Sequence, residues 1–378
     1  MNVSYSLSGA DSPSFRLLLL WLLLLSGQLA HGQASTVSAA SRAALFDSLT
    51  QALAHQRYPN VRAVLVSHQN KLVYAQYPAG YSADSLQDTR SAFKSITSLL
   101  VGIALDKGYL QSVQQRAYSF FPAYAHGANW DARKANMTLQ HLLEMKTGFA
   151  CEEFNGTQDC EEAMTATPDW VTAALDLPLA CAPGTQWSYT SAAPVVLGGV
   201  LAQATHQSVI AFAARYLFEP LGITHYRWTT DPAGQGMTAG SFYLRPADLL
   251  KIGEMVAQRG RWHGRRIVSA RWLRESMAPR TLIPAFSFVG SSRTKLAQPQ
   301  PTYYGYYWYR EGVVTATSNR EVLFASGNGG QYVMLVPDLQ LVVVFMGGNY
   351  GSWKAKLAFA ALAHYIIPAF EHPHKRAE

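Results

Sequence analysis

The sequence contains no Gly-x-Ser-x-Gly elbow and no His/Cys cluster at zinc-ligand spacing. An elbow-type serine and a zinc-activated water therefore have no candidate. Cysteine is scarce: Cys151, Cys160 and Cys181 are the only three in 378 residues. No His partner motif surrounds them, so structural use is expected rather than nucleophilic use. A basic stripe interleaved with aromatics is also missing. Lys and Arg number 31 against 24 Asp and Glu, a formal charge of +7, but they are scattered, with short clusters only at 261–266 and 375–376. That distribution fits a soluble basic surface better than one that tracks a phosphate backbone, and no nucleic-acid partner is expected. Internal repeats are absent.

What is present begins with a leader. Arg16 precedes the apolar run Leu17–Leu25, and small residues follow at Ala30, Gly32 and Ala34. A basic residue, a short apolar run and small residues at a cleavage point predict a signal peptide over 1–34, with the mature chain starting near Gln33 or Ser35. The run falls short of the roughly 20 residues that span a bilayer, and no later segment is of membrane length. The expectation is a periplasmic or secreted protein with no stable membrane span after cleavage. In that oxidising setting one disulfide is expected, most simply Cys151–Cys160, leaving one thiol free.

Apolar spacing of three and four predicts a helix over 36–57, through Ala43, Leu45, Phe46, Leu49 and Leu53. Val61–Ser67 and Lys71–Gln76 read as a hairpin around His68-Gln69-Asn70. From Ser91 the pattern is helical again, through Ile96, Leu99, Leu100, Ile103 and Ala104 to Gly108. Residues 109–285 read as helices and loops, with apolar-periodic stretches at 138–145, 194–206, 209–221 and 246–258. The acidic stretch Ala150–Glu162 is expected as an exposed, solvated loop. Its spacing matches no cation motif, and no metal or cofactor is expected. After 300 the character returns to sheet: aromatic Tyr303–Tyr309, then Val322–Ala325, Gln331–Val336 and Leu339–Met346, with a closing helix over Trp353–Phe370. This order predicts one α/β unit over 35–378: an antiparallel sheet flanked by helices, built from 35–90 and 300–370, and a mainly helical lobe over about 109–285, with a cleft between.

Ser91-Ala-Phe-Lys94 opens the helix predicted from Ser91. Positions three apart share a helix face, so hydroxyl and amine can meet. The unbonded N–H groups at a helix start favour a developing oxyanion. A serine hydroxyl is a weak nucleophile until a base takes its proton, and lysines in general become bases where burial disfavours the ammonium. Ser292-Arg-Thr-Lys295 has the same spacing, but no apolar periodicity follows it. The run after Lys94, Ser-Ile-Thr-Ser-Leu-Leu-Val-Gly-Ile-Ala-Leu-Asp-Lys-Gly-Tyr-Leu, does pack as a core helix. It resembles the nucleophile helix of the class C β-lactamase-related, penicillin-binding-protein-like serine hydrolases, which include D-Ala-D-Ala peptidases, esterases and oligoamide hydrolases.

Two further elements carry the resemblance, which covers about 60–367. Pro183-Gly-Thr-Gln-Trp-Ser-Tyr189-Thr-Ser191 resembles the family's Pro-Gly…Tyr-x-(Asn/Ser) box; Tyr350-Gly-Ser352 fits only the bare pattern. Ser326-Gly-Asn-Gly-Gly-Gln331 resembles the His/Lys-Thr-Gly region, with Gly327-Asn328-Gly329 in place of the triplet. Lys146-Thr-Gly148 has the letters of that triplet but precedes Tyr189, and its neighbourhood resembles the family's His-Leu-Leu-x-Met-x-Ser/Thr-Gly helix end. Leu217–Ile223 and Leu244–Leu250 resemble structural elements there. The resemblance implies a β-lactamase/D,D-peptidase-like fold with Ser91 as nucleophile, Lys94 as its base partner and Tyr189 as proton shuttle. It further implies substrate contacts at Ser191, Asn328 and Gly329, and a second oxyanion N–H from Gly330 or Gln331 beside that of Ser91. The triplet lacks a cation to hold a carboxylate, which shifts the expected substrate from β-lactams and cell-wall peptides toward neutral small-molecule esters or amides. A β-lactamase or D-Ala-D-Ala carboxypeptidase, and a non-catalytic muropeptide-binding relative, are the alternatives. No acidic motif of the class A deacylating kind is found.

Overall fold

The β-branched runs near the two ends of the chain meet in one antiparallel sheet. The structure, a computed structural model, describes residues 37–371 apart from 79, 154–159, 284–285 and 290–299. The leader over 1–34 and the pair Ser292 and Lys295 lie outside the described residues. The main sheet contains β1 Val61–His68, β2 Lys71–Gln76, β3 Thr281–Leu282, β4 Tyr303–Tyr304, β5 Tyr309–Val314, β6 Asn319–Gly327, β7 Gln331–Val336 and β8 Leu341–Gly347. Their order is β2-β1-β8-β7-β6-β5-β4-β3. The N-terminal hairpin thus pairs with the last strand, Val64 opposite Phe345 and Val66 opposite Val343. β7 and β8 are buried along their whole length, which is why they read as continuous apolar runs rather than alternating ones.

The longer helices are α1 Ala39–Ala54, α2 Phe93–Asp106, α3 Ala192–Thr205 and α4 Pro246–Ala257. Helices cover both faces of the sheet. Successive residues of a strand point to opposite sides. Phe359 of the closing helical segment lies 5.1 Å, ring to ring, from Tyr332, whereas Gly253 of α4 lies against Val333 and Val342 on the other side. α1 joins the Phe359 side through Phe46, stacked at 4.7 Å on Tyr74. Helices of the middle region also reach the sheet. α4 packs across β1, β7 and β8, and β3 pairs with β4 at the far edge, so sheet-associated chain begins well before 285. A two-residue strand carries no readable period, and an amphipathic helix does not announce which face will cover it.

α2 is buried from Phe93 to Ala104, with the polar Lys94, Ser95 and Thr97 each hydrogen-bonded inside. Its Gly102 is required by packing, since a Cβ there would sit 2.1 Å from the Trp272 indole. Trp272 in turn donates its indole N–H to the Ser98 carbonyl at 2.9 Å. A small second sheet, Gln87–Asp88, Phe242–Leu244 and Tyr226–Trp228, abuts the start of α2; its strands are too short to be legible in sequence. Among the described residues no single helix is long and apolar enough to cross a membrane.

Candidate active site

Ser91 sits in a 3-10 turn, Arg90–Ala92, that runs directly into α2. Arg90 has φ 47, a left-handed conformation that costs a non-glycine residue about 1–3 kcal/mol. Its surroundings hold it there. Asp88 Oδ1 accepts the Arg90 N–H at 2.8 Å, and the Thr89 N–H and hydroxyl both reach the Phe242 carbonyl, at 2.8 and 3.0 Å. Burial pushes the Asp88 carboxyl above its ordinary range. The small sheet therefore sets the entry angle of α2, and with it the position of Ser91.

One turn along α2, Lys94 is 2% exposed. Its Nζ donates to Ser91 Oγ at 2.8 Å, to the Ala239 carbonyl at 3.0 Å and to Ser191 Oγ at 3.2 Å. An ammonium has three donors, and each has an acceptor. The Tyr189 ring lies beside the same nitrogen, 5.0 Å from Nζ to the ring centroid. Neighbouring backbone fixes the Tyr189 strand-like segment: Ser188 N–H donates to the Met145 carbonyl at 2.8 Å, and Gly184 N–H to the Lys146 carbonyl at 2.7 Å. Lys146-Thr-Gly148 is thus a buttress for the tyrosine segment. Its lysine is paired with Glu144 at 3.0 Å and is not part of the cleft wall.

The end of β6 forms the opposite wall. A Cβ on Gly327 would fall 2.5 Å from the Thr89 carbonyl, so glycine lets this strand end press on the Ser91 turn. Ser326, Gly327, Asn328 and Gly329 line the cleft. Gly330 and Gln331, the residues expected to offer a second oxyanion N–H, sit just beyond this segment. Gly330 spends its N–H on the Gly327 carbonyl at 3.2 Å. Gln331 stands opposite Gly327 in the ladder, is 1% exposed and donates its side-chain amide to the Gly347 carbonyl at 2.7 Å. Neither lines the cleft, because the tight turn after Gly327 carries the chain away from Ser91.

The cleft has a volume of about 970 Å³, at the upper end of what small-molecule sites occupy. Three described acids of the stretch expected to be a solvated loop lie in its wall. Glu153, Glu161 and Glu162 line it together with Tyr189 and Ser191. Glu153 Oε2 accepts the Ser191 N–H at 2.9 Å, and the Ser191 hydroxyl donates to Glu161 in a short hydrogen bond. Burial raises the Glu153 carboxyl, partly opposed by Lys94 and reinforced by Glu161. A Cys151–Cys160 disulfide, Cα atoms 6.1 Å apart, encloses Glu153 and directly precedes Glu161, and Cys181 is the free thiol among the three. The sequence signal that would have found this wall was the cysteine pair flanking the acids: closing a bridge across nine residues folds Glu153 and Glu161 toward each other. Two cations also reach the cleft, Arg90 and Lys356. Burial lowers Lys356 from the usual lysine range; it stands 4.3 Å from the Phe286 ring centroid. Of the aromatic run, Tyr304, Tyr306 and Tyr307 are core residues. Tyr309, just beyond Trp308, lines the cleft, with its phenol pushed far above the ordinary range by burial.

A seryl hydroxyl, a buried amine and a phenol thus share one wall, against glycine-rich backbone that opposes them. The Beta-lactamase family model matches residues 46–363. The chain belongs to the β-lactamase family. A search of curated proteins returns no match, while many solved structures are similar. EstCE1, a hydrolase with promiscuous acyltransferase activity, superposes with a TM-score of 0.64 at 14% identity, over 86% of this chain and 99% of that one. A penicillin-binding protein homologue from Pyrococcus abyssi, described as octameric, gives 0.63 at 18% identity over 85% and 76%. The D-alanine carboxypeptidase AmpC from Burkholderia cenocepacia gives 0.60 at 18% identity over 86% and 99%. At these identities the likeness shows the fold, which is the β-lactamase/penicillin-binding-protein arrangement of a large antiparallel sheet with helices. Family membership makes this β-lactamase-family chain a serine hydrolase.

Proposed function

We propose that the protein is an exported hydrolase that cleaves an ester or amide through an acyl-enzyme on Ser91. The supporting observation is the 2.8 Å hydrogen bond between Lys94 Nζ and Ser91 Oγ, in a cleft that Tyr189 also lines. Ser91 Oγ attacks the carbonyl carbon as its proton passes to Lys94. The oxyanion is held by the Ser91 N–H and by main-chain N–H from the 326–329 segment at the end of β6. Tyr189, next to Lys94, protonates the leaving group, and a water activated by the same pair releases the acyl group. Neutral esters and amides are the favoured substrates because Gly327 stands where the triplet would carry a cation.

A second reading, a D-Ala-D-Ala carboxypeptidase or β-lactamase, draws support from Arg90 and Lys356 in the cleft wall, either of which suits a substrate carboxylate. Purified protein assayed with p-nitrophenyl acetate, nitrocefin and a D-Ala-D-Ala peptide separates the two. Ester turnover that falls by on the order of 10³-fold or more in Ser91→Ala supports the main reading; turnover that survives in Ser91→Ala sinks it. Ligand binding without any covalent adduct from a fluorophosphonate points instead to a non-catalytic binder of cell-wall fragments. Export, supported by the leader pattern and by a disulfide that suits an oxidising compartment, is checked by N-terminal mass spectrometry of protein recovered outside the cytoplasm. Processing near residue 34 is the expected result.

A further inference from the structure

An ordinary lysine is an ammonium at neutral pH and accepts no proton from a serine until it has lost one of its own. Lys94 Nζ is 3.2 Å from Ser191 Oγ, and the Ser191 hydroxyl donates onward to Glu161 Oε2. Ser191 is 1% exposed, and its N–H is anchored on Glu153 Oε2 at 2.9 Å, so the hydroxyl is held between amine and carboxylate. We propose that Glu161, working through the Ser191 hydroxyl, is the resting acceptor of the Lys94 proton and so arms the lysine as a base. This inference rests on the Ser91 acyl-enzyme reading.

The step balances without any outside reagent. Lys94 gives one N–H proton to Ser191 Oγ, and Ser191 gives its own hydroxyl proton to Glu161. The ammonium–carboxylate pair becomes an amine and a carboxylic acid, with Ser191 unchanged. Ser91 then loses its proton to Lys94 as Oγ bonds to the carbonyl carbon. When the carbon–leaving-group bond breaks, the departing group takes a proton from Tyr189, which Lys94 replenishes.

Glu161 rather than Glu153 fills this role because it receives a hydroxyl, whose proton is exchangeable along the chain, whereas Glu153 receives a backbone amide. The other charged or titratable groups lining the cleft are Glu153, Glu162, Tyr189, Tyr309, Tyr332, Arg90 and Lys356, with Lys94 buried behind Ser91 and Ser191. Asp169, at the start of the helix packed beside Cys160–Thr165, is engaged by Thr172 and Gln235. Burial and the neighbouring Glu161 keep the Glu153 carboxyl high despite the pull of Lys94. The disulfide places both, Glu153 two residues after Cys151 and Glu161 directly after Cys160.

The test is the pH profile of kcat/KM for p-nitrophenyl acetate, for the full chain and its Glu161→Gln, Glu161→Asp and Ser91→Ala variants. Glutamine keeps a hydrogen-bond acceptor for Ser191 but takes no proton. Glu161→Gln is expected to lose on the order of 10²–10³-fold at pH 7. Its acid limb is expected to move up by about 2 pH units or more, from a carboxylate-controlled to a lysine-controlled rise, with activity recovering in alkali. Glu161→Asp is expected to keep its limb within about half a unit of the parent's. A Glu161→Gln limb superimposed on the parent's overturns the relay, as does an Asp variant that behaves like Gln. If the Gln variant does not fold, Ser191→Ala, which cuts the same path at its middle atom, is expected to show the same displaced limb, and an unmoved limb there overturns the relay equally. Activity persisting in Ser91→Ala strikes the acyl-enzyme reading instead, so the two failures are distinct.

Discussion

Lys94 is surrounded by the Ser91 hydroxyl, the Ser191 hydroxyl and the Ala239 carbonyl, and its stem is sealed from water. Such a residue does little for folding that a neutral side chain of similar length would not do, and much for chemistry. Lys94→Met is therefore expected to fold and to lose on the order of 10³-fold in kcat for ester hydrolysis, with circular dichroism as the check on folding. Tyr189→Phe removes only an oxygen. It is expected to lower kcat by about 10²-fold with KM within a few-fold, measured by steady-state kinetics on an amide and an ester of matched acyl group. At this scale the sequence was most legible where spacing and chemistry coincide. Ser91 and Lys94 are three apart, so a helix alone brings them into reach. Glu153 and Glu161 were illegible because nothing local distinguishes a glutamate in a solvated loop from one folded back by a disulfide onto a serine some thirty residues further along. The glycine-rich turn after Ser326 was the hardest part of the site to read, because no side-chain pattern fixes which backbone N–H faces Ser91.

Helices and long strands were read within a few residues, whereas the elements that aim Ser91 were not. The small sheet beside Thr89 consists of two- and three-residue strands with no room for a period, yet it holds Arg90 left-handed and sets the angle of α2. Two glycines make the contacts here testable. Gly327→Ala would place a Cβ 2.5 Å from the Thr89 carbonyl, and a backbone atom cannot rotate away as a side chain can. It is expected to cost about 1–3 kcal/mol and to lower kcat more than Gly102→Ala does. Gly102→Ala, directed at the Trp272 indole on the far part of α2, is expected to cost a similar amount while leaving KM within two-fold. Thermal melts read the first quantity, and ester kinetics the second.

At the scale of the whole molecule, the last described turn is held by Glu371, which accepts from Thr317 Oγ1 at 2.5 Å and Arg320 Nε at 3.1 Å and from Ser318. Burial pushes its carboxyl up, but these hydrogen bonds outweigh that and hold it below the usual glutamate range. A depressed native value means that the group stabilises the fold above the unfolded-state glutamate pKa and loses that contribution as pH falls toward the native one. Glu371→Gln is accordingly expected to melt below the parent at pH 7, with the gap closing as the melts are repeated down to about pH 3. The α/β architecture was legible because both chain ends carry strand-like runs. The division of the helices between sheet and cleft was not, because period reveals an apolar face and not its partner.

β1 and β8 lie side by side although nearly the whole chain separates them. A ribosome must therefore release almost the full polypeptide before the central pairing of the sheet can form, and the early hairpin waits without its permanent neighbour while the rest is made. Long-range closure of this kind is slow. Under the proposed export the delay would be useful: the nascent protein would stay threadable until its last strand had crossed the membrane.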